Sequence, residues 1–205
     1  MFHVKHEAWG RWGEVLGLDA DSATTQRLGA YERLLLEKAL PTGMIGRADR
    51  EQLRERHVVD SLRALPLLGS PPAQVVDLGS GAGLPGIPLA IARPDLSFCL
   101  AEVRRRRAAF IELAVESLQL RNVRVFAGKV EDLTGPFDVC LSRAFTQPAR
   151  AWAIAESLLS PTGKLLFWAG RRFDVASGTP GGARISVSTT PELADAGPVV
   201  IMTRQ

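Results

Sequence analysis

Val75-Val76-Asp77-Leu78-Gly79-Ser80-Gly81-Ala82-Gly83-Leu84-Pro85-Gly86 is the stretch from which the rest of this chain is read. A short apolar run carries one acid. Glycines then take alternate positions, and a proline stands where a helix would begin. Glycine lets a backbone turn tightly and pass close to a ligand. Strand, glycine loop and helix in that order predict the carboxyl end of the first strand of an open α/β sheet, where such sheets bind nucleotides.

Glu102 closes the next apolar run, and a carboxylate there accepts both hydroxyls of an adenosine ribose. Two cofactor classes fit. A dinucleotide fingerprint wants Gly-x-Gly-x-x-Gly, with a pyrophosphate on the helix N-terminus. In this chain the sixth position is Leu84, and the pattern is Asp-x-Gly-x-Gly-x-Gly. That spacing suits S-adenosyl-L-methionine, which has no phosphate and carries a cationic sulfonium. Asp77 inside the motif also favours a cation.

Working outward, short apolar runs alternate with helical patterns. Strands are expected at 74–78, 97–102, 122–127, 137–142 and 163–169, with helices at 86–92, 104–118 and 148–159. Two further runs, 183–188 and 198–203, predict a closing antiparallel hairpin. The fold class is therefore α/β, a Rossmann-like, doubly wound, seven-stranded and mainly parallel sheet. Before it, residues 1–73 read as a helical extension to a sheet domain at 74–205. Asp21 or Ser22 is placed to cap a helix bearing Leu28, Tyr31, Leu35 and Leu36, which Pro41 and Gly43 stop. Asp49 is placed to cap a second helix, with Leu53, Val58, Leu62 and Leu65 facing the core. Gly69-Ser70-Pro71-Pro72 marks the boundary.

The chain has 205 residues, 46% of them hydrophobic and 23% charged. That composition argues against disorder and is enough for a core without disulfide or zinc staples. No apolar stretch reaches the roughly 18 residues of a membrane span. The N-terminus has no long apolar run of the secretory kind, so a cytoplasmic protein is expected. Cys99 and Cys140 sit inside apolar runs and read as core. The formal charge of +3 permits nucleic-acid binding without demonstrating it. The only lysines are Lys5, Lys38, Lys129 and Lys164; the other basic residues are arginine.

Motif order along the chain resembles the RsmG (GidB) family of bacterial 16S rRNA guanine-N7 methyltransferases. Met1-Phe2-His3-Val4-Lys5-His6, Gly43-Met44-Ile45-Gly46 and Arg56-His57-Val58-Val59-Asp60-Ser61-Leu62 carry the resemblance before the loop. The loop extended to Leu84-Pro85-Gly86-Ile87-Pro88 is its most specific part. Arg93-Pro94-Asp95, Gly128-Lys129-Val130-Glu131-Asp132 and Phe137-Asp138-Val139-Cys140-Leu141-Ser142-Arg143-Ala144-Phe145 follow in family order.

The resemblance implies a class I methyltransferase that uses S-adenosyl-L-methionine. Its target would be a guanosine in the 530-loop region of 16S rRNA, within the small ribosomal subunit. It implies cofactor contacts at Gly79, Leu84, Val130, Glu131 and Arg143, beside Gly81 and Glu102 of the loop reading. Two departures stand out. Ala169 takes the place of a lysine common in the family, with Arg171 and Arg172 close by. Leu40-Pro41-Thr42-Gly43 replaces the usual Asn-Leu-Thr run, a variant associated with actinobacterial members.

Guanine N7 is a lone-pair nucleophile with no proton to lose, so alignment matters more than a general base. Arg143 and Phe145, just past the fourth strand, are the positioning candidates, and Phe145 is suited to stack on a base. No metal site is expected. Arg104, Arg105, Arg106 and Arg107 open a helix, where four cations oppose its dipole. They are RNA-binding candidates, as are Lys5, Arg171 and Arg172. His57 lies one turn from Asp60 and reads as its partner. Trp152 and Trp168 read as core. A monomer is expected. Two other functions stay open: a non-catalytic ribosome-binding module that keeps this fold, and a dinucleotide-dependent oxidoreductase.

Overall fold

A computed structural model describes residues 9–18, 22–175 and 180–205. Seven strands form one sheet: β1 (Gln74–Leu78), β2 (Ser97–Ala101), β3 (Val123–Phe126), β4 (Phe137–Arg143), β5 (Leu159–Trp168), β6 (Ala183–Ser188) and β7 (Val199–Arg204). Their order is β3-β2-β1-β4-β5-β7-β6. The first five run parallel, and β7 is antiparallel to both β5 and β6. The sheet is thus mainly parallel and doubly wound, with the closing hairpin that the sequence predicts. Strand order reverses between β1 and β4, so a crevice opens at their carboxyl ends.

β1 and β2 are buried on both faces after their first residue, as strands covered by helices on each side must be. Successive side chains point to opposite faces. Val75, Leu100, Leu141 and Leu166 enter one core. Val76, Cys99, Cys140 and Leu165 enter the other. Helices α4 (Gly86–Ala92) and α5 (Arg105–Ser117) cover the first face, and α6 (Pro148–Leu158) covers the second through Trp152 and Ala155. Both cysteines are buried and unpaired, and desolvation raises both thiols above their ordinary pKa.

The segment ahead of β1 packs against the first face. α1 (Gly10–Leu16) is closed by Gly17 in the left-handed region. α2 (Ala23–Leu34) is capped by Ser22, whose Oγ accepts from the Thr25 amide, which satisfies an otherwise orphan donor. Leu28, Tyr31, Leu62 and Leu68 join the core that holds Val75 and Leu100. One apolar cluster therefore runs across the expected boundary at 73–74.

Two expectations need correction. Asp49 caps no helix: it ends a 3-10 turn, and its carboxylate pairs with Arg56 at 2.7 Å and His57 at 3.1 Å. The second helix itself forms with Leu53, Val58 and Leu62 buried as expected, but its Arg54–Val59 stretch is π-helical before it runs into α3 (Asp60–Leu62). β5 also begins at Leu159, directly after α6, rather than at 163. Pro161 and Gly163 look like turn residues. The Phe137–Leu159 pairing and a register shift beside it hold them in the strand instead.

Candidate functional site

The glycine loop leaves β1 with Gly79, Gly81 and Gly83 all at positive φ, a backbone conformation in which other residues are strained. Its amides are used. The Ser80 N–H donates to the Ala101 carbonyl at 2.9 Å, and the Gly81 N–H donates to Glu102 Oε2 at 3.0 Å. Glu102 Oε1 accepts from the Arg104 amide at 2.8 Å. The acid that ends β2 is therefore fixed by two backbone donors. Each carboxylate oxygen keeps further acceptor capacity.

Between this loop, the end of β2 and the turn after β3 lies a cleft of about 330 Å3. Gly79, Glu102, Val130, Glu131, Arg104, Arg107 and Phe145 from the sequence reading line it. Val103, Lys129 and Arg150 line it too, and sequence reasoning missed them. Val103 is 58% exposed, an apolar side chain left open beside a fixed carboxylate. Its position directly after the acid that ends β2 was the available signal. Arg150 reaches Glu131 at 3.5 Å from the start of α6, a meeting that no local pattern shows. The Phe145 ring lies over Gly79, where an added Cβ would overlap it.

Other expected residues lie elsewhere. Gly81 shapes the loop through Glu102, and neither it nor Leu84 lines the cleft; Leu84 belongs to the core. Asp77 is buried beneath the loop, accepting the Gly86 amide at 3.0 Å on one oxygen, while the other has no partner. Burial pushes its carboxyl up to about 7. It does not line the cleft. Lys5 lies outside the described residues.

Arg143 points away from this cleft into a second cavity of about 660 Å3. Its Nη2 donates to the Arg56 carbonyl at 2.6 Å and lies 3.1 Å from Asp60 Oδ2 and 3.3 Å from His57 Nδ1. His57 pairs with Asp49 and Arg143, not with Asp60 as the one-turn spacing predicts. Asp60 instead holds Arg143 and the buried Arg63, the latter at 2.9 Å. Burial and the Arg143 charge lower the His57 pKa, so the ring is neutral at pH 7. Arg143 donates to Nδ1, which leaves the ring proton on Nε2, facing Asp49.

Trp168 is buried as expected, but its Nε1–H donates to the Asp60 carbonyl at 2.9 Å and its edge lines the second cavity. Arg171 lines that cavity in an ion pair with Asp195 at 2.9 Å, and Arg172 is exposed beside it. Arg104, Arg105 and Arg106 are exposed at the start of α5; Arg107 turns inward to 3.9 Å from Glu102. Among the described residues no group of three or more His, Cys, Asp or Glu is placed to hold a metal ion.

The fold has counterparts among known proteins. The structure is similar to that of a SAM-dependent methyltransferase from Aquifex aeolicus, with a TM-score of 0.57 and 16% identity over 80% of this chain and 96% of that one. That likeness concerns the fold. Sequence similarity reaches further. A ribosomal RNA small subunit methyltransferase G of Sorangium cellulosum is 37% identical over 77% of this chain and 69% of its own length. The enzyme of the same name in Acidiphilium cryptum is 35% identical over 85% and 82%. The family model for rRNA small subunit methyltransferase G matches residues 24–175, which takes in the whole lining of the smaller cleft and part of that of the second cavity. The chain belongs to the rRNA small subunit methyltransferase G family.

Proposed function

We propose that this protein transfers a methyl group from S-adenosyl-L-methionine to N7 of a guanosine in the 530-loop region of 16S rRNA. The reading rests on one observation above the others: a cleft with a fixed ribose-type carboxylate at the crevice of a family-matched sheet. The residues present fit the cofactor. Glu102 keeps acceptor capacity for ribose hydroxyls, Val103 offers an apolar face for the adenine, and Val130 and Glu131 close the same end. Gly79 keeps the loop wall open to close approach. When bound, the cofactor supplies a methyl carbon whose bond to sulfur breaks as N7 attacks. The electron pair stays on sulfur, and the positive charge passes to the base.

This chain's residues then have to bind, orient and exclude water. No proton is removed from N7, so no residue is needed as a base. Phe145 over Gly79 is placed to order the methyl-bearing end of the cleft. Arg143 is placed to act on the acceptor rather than on the cofactor. Arg104, Arg105 and Arg106, with Arg172, supply cations for RNA phosphates. Among the described residues no helix is long and apolar enough to cross a membrane. A cytoplasmic monomer acting on the small subunit is part of the proposal.

The test supplies labelled S-adenosyl-L-methionine and small subunits that lack the modification, then maps the label. Label at guanine N7 in the 530-loop region is expected. Tighter binding of NAD than of S-adenosyl-L-methionine would sink the assignment. Cofactor binding without transfer to RNA would leave a ribosome-binding module instead.

A further inference from the structure

We propose that the 660 Å3 cavity beside the cofactor cleft is a pocket for one guanine nucleotide of the RNA, turned out of its stack. This inference rests on the methyl-transfer reading above. Both hollows share Ala144 as a wall. Ala144 has φ +53°, in the left-handed region. In a non-glycine residue such a conformation is strained, and strain of this kind concentrates at functional sites. It falls at the end of β4, where the chain must send neighbouring side chains apart. Arg143 goes to the floor of the larger cavity, and Phe145 goes over Gly79 in the cofactor cleft. A base seated against Ala144 therefore borders the cleft.

Size, walls and charge all suit a flipped nucleotide. The volume falls within the roughly 300–1,000 Å3 of small-ligand pockets. Trp168 is held in place by its bond to the Asp60 carbonyl, and Trp12 lies under the Arg11 guanidinium at 4.8 Å. Both indoles are buried, Trp12 at 4% and Trp168 at 7% exposure, so they give the cavity a fixed apolar wall. The donors N1–H and N2–H2 of guanine call for a carboxylate, and O6 calls for a cation. Glu55 supplies a carboxylate to the cavity, Asp195 a second one paired with Arg171, and Arg143 supplies the cation. Asp60 balances the Arg143 charge at 3.1 Å. The floor therefore does not repel the cation that guanine becomes once methylated.

Gly170 lines the cavity, and a Cβ added there meets no atom within 4 Å. Gly170→Trp should fill the pocket with the fold and the cofactor cleft intact. By titration its affinity for S-adenosyl-L-methionine should equal that of the wild type. Its single-turnover transfer should fall by about a hundredfold. Independently, small subunits carrying 6-thioguanosine at the acceptor position should, on irradiation, crosslink to wild-type peptides containing 143–144 or 168–171. Undiminished transfer by a folded Gly170→Trp protein overturns the pocket. So do crosslinks confined to the face of Arg104–Arg107. A wild-type protein that binds cofactor but transfers nothing overturns the underlying function instead.

Discussion

Gly81 and Asp77 show how differently two residues of one loop act. Gly81 has open space around it, for the nearest atom to an added Cβ is the Gly79 carbonyl oxygen at 3.9 Å. What forbids a side chain is its φ of +62°. Gly81→Val should weaken S-adenosyl-L-methionine binding by about tenfold or more in titration, because the loop must leave that conformation and release Glu102. Unchanged affinity would detach the loop from the cofactor. Asp77 predicts a pH effect. Its folded-state pKa of about 7 lies above the ordinary carboxyl value, so folding takes up a proton. Its contribution to stability is present in acid and fades as pH rises toward 7. Between pH 5 and 8 the wild type should lose roughly 2–3 kcal/mol from this group. Asp77→Asn should lack that slope in denaturant melts at the two pH values.

At the scale of elements, α5 sets function against stability. Arg104 is its N-cap without a side-chain cap bond, and its first turn holds no acid. Arg104→Ser should raise stability by about 1 kcal/mol, read as a higher melting temperature. Arg105→Gln with Arg106→Gln should lower the salt slope of RNA binding by about one for each phosphate no longer neutralised. A helix that gains nothing from the cap and an RNA affinity indifferent to all three changes would remove this face from the interface. The strands and helices of the sheet were legible because their periodicity and their glycine and proline punctuation agree. The β5 start and the π-helical turn at Arg54–Val59 were not. In each, long-range partners override local preference: Phe137 pairs with Leu159, and the Arg56 carbonyl and His57 meet Arg143.

For the molecule as a whole, the helical segment before β1 shares its core with the sheet and is tied to the loops at the sheet's carboxyl ends. The Tyr31 hydroxyl donates to the Ala82 carbonyl at 2.6 Å, tying α2 to the glycine loop. Asp60 and the Arg56 carbonyl hold Arg143. Glu32, 6% exposed, grips Arg54 through two bonds of 2.7 Å. A fragment of residues 74–205 would expose the face that Leu28, Leu35, Val58 and Leu62 cover. It should show no cooperative thermal transition, whereas the full chain should unfold in one step. A cooperative melt of the fragment would instead show an independent sheet domain with a separate extension.

Sequence by itself determined the class of sheet, the glycine loop after its first strand, the acid that ends the next strand and the buried state of both cysteines. Those depend on local conformational limits and on alternation along a single element, which a chain carries in its own order. Tertiary structure decided where charges meet. It sent Arg143 away from the cleft that sequence reading assigned to it, gave His57 to Asp49, buried Asp77 beneath the loop and brought Arg150 to Glu131. Ion pairs form between side chains far apart in sequence. Their partners are set by how helices pack on the sheet, a geometry that no spacing along the chain encodes.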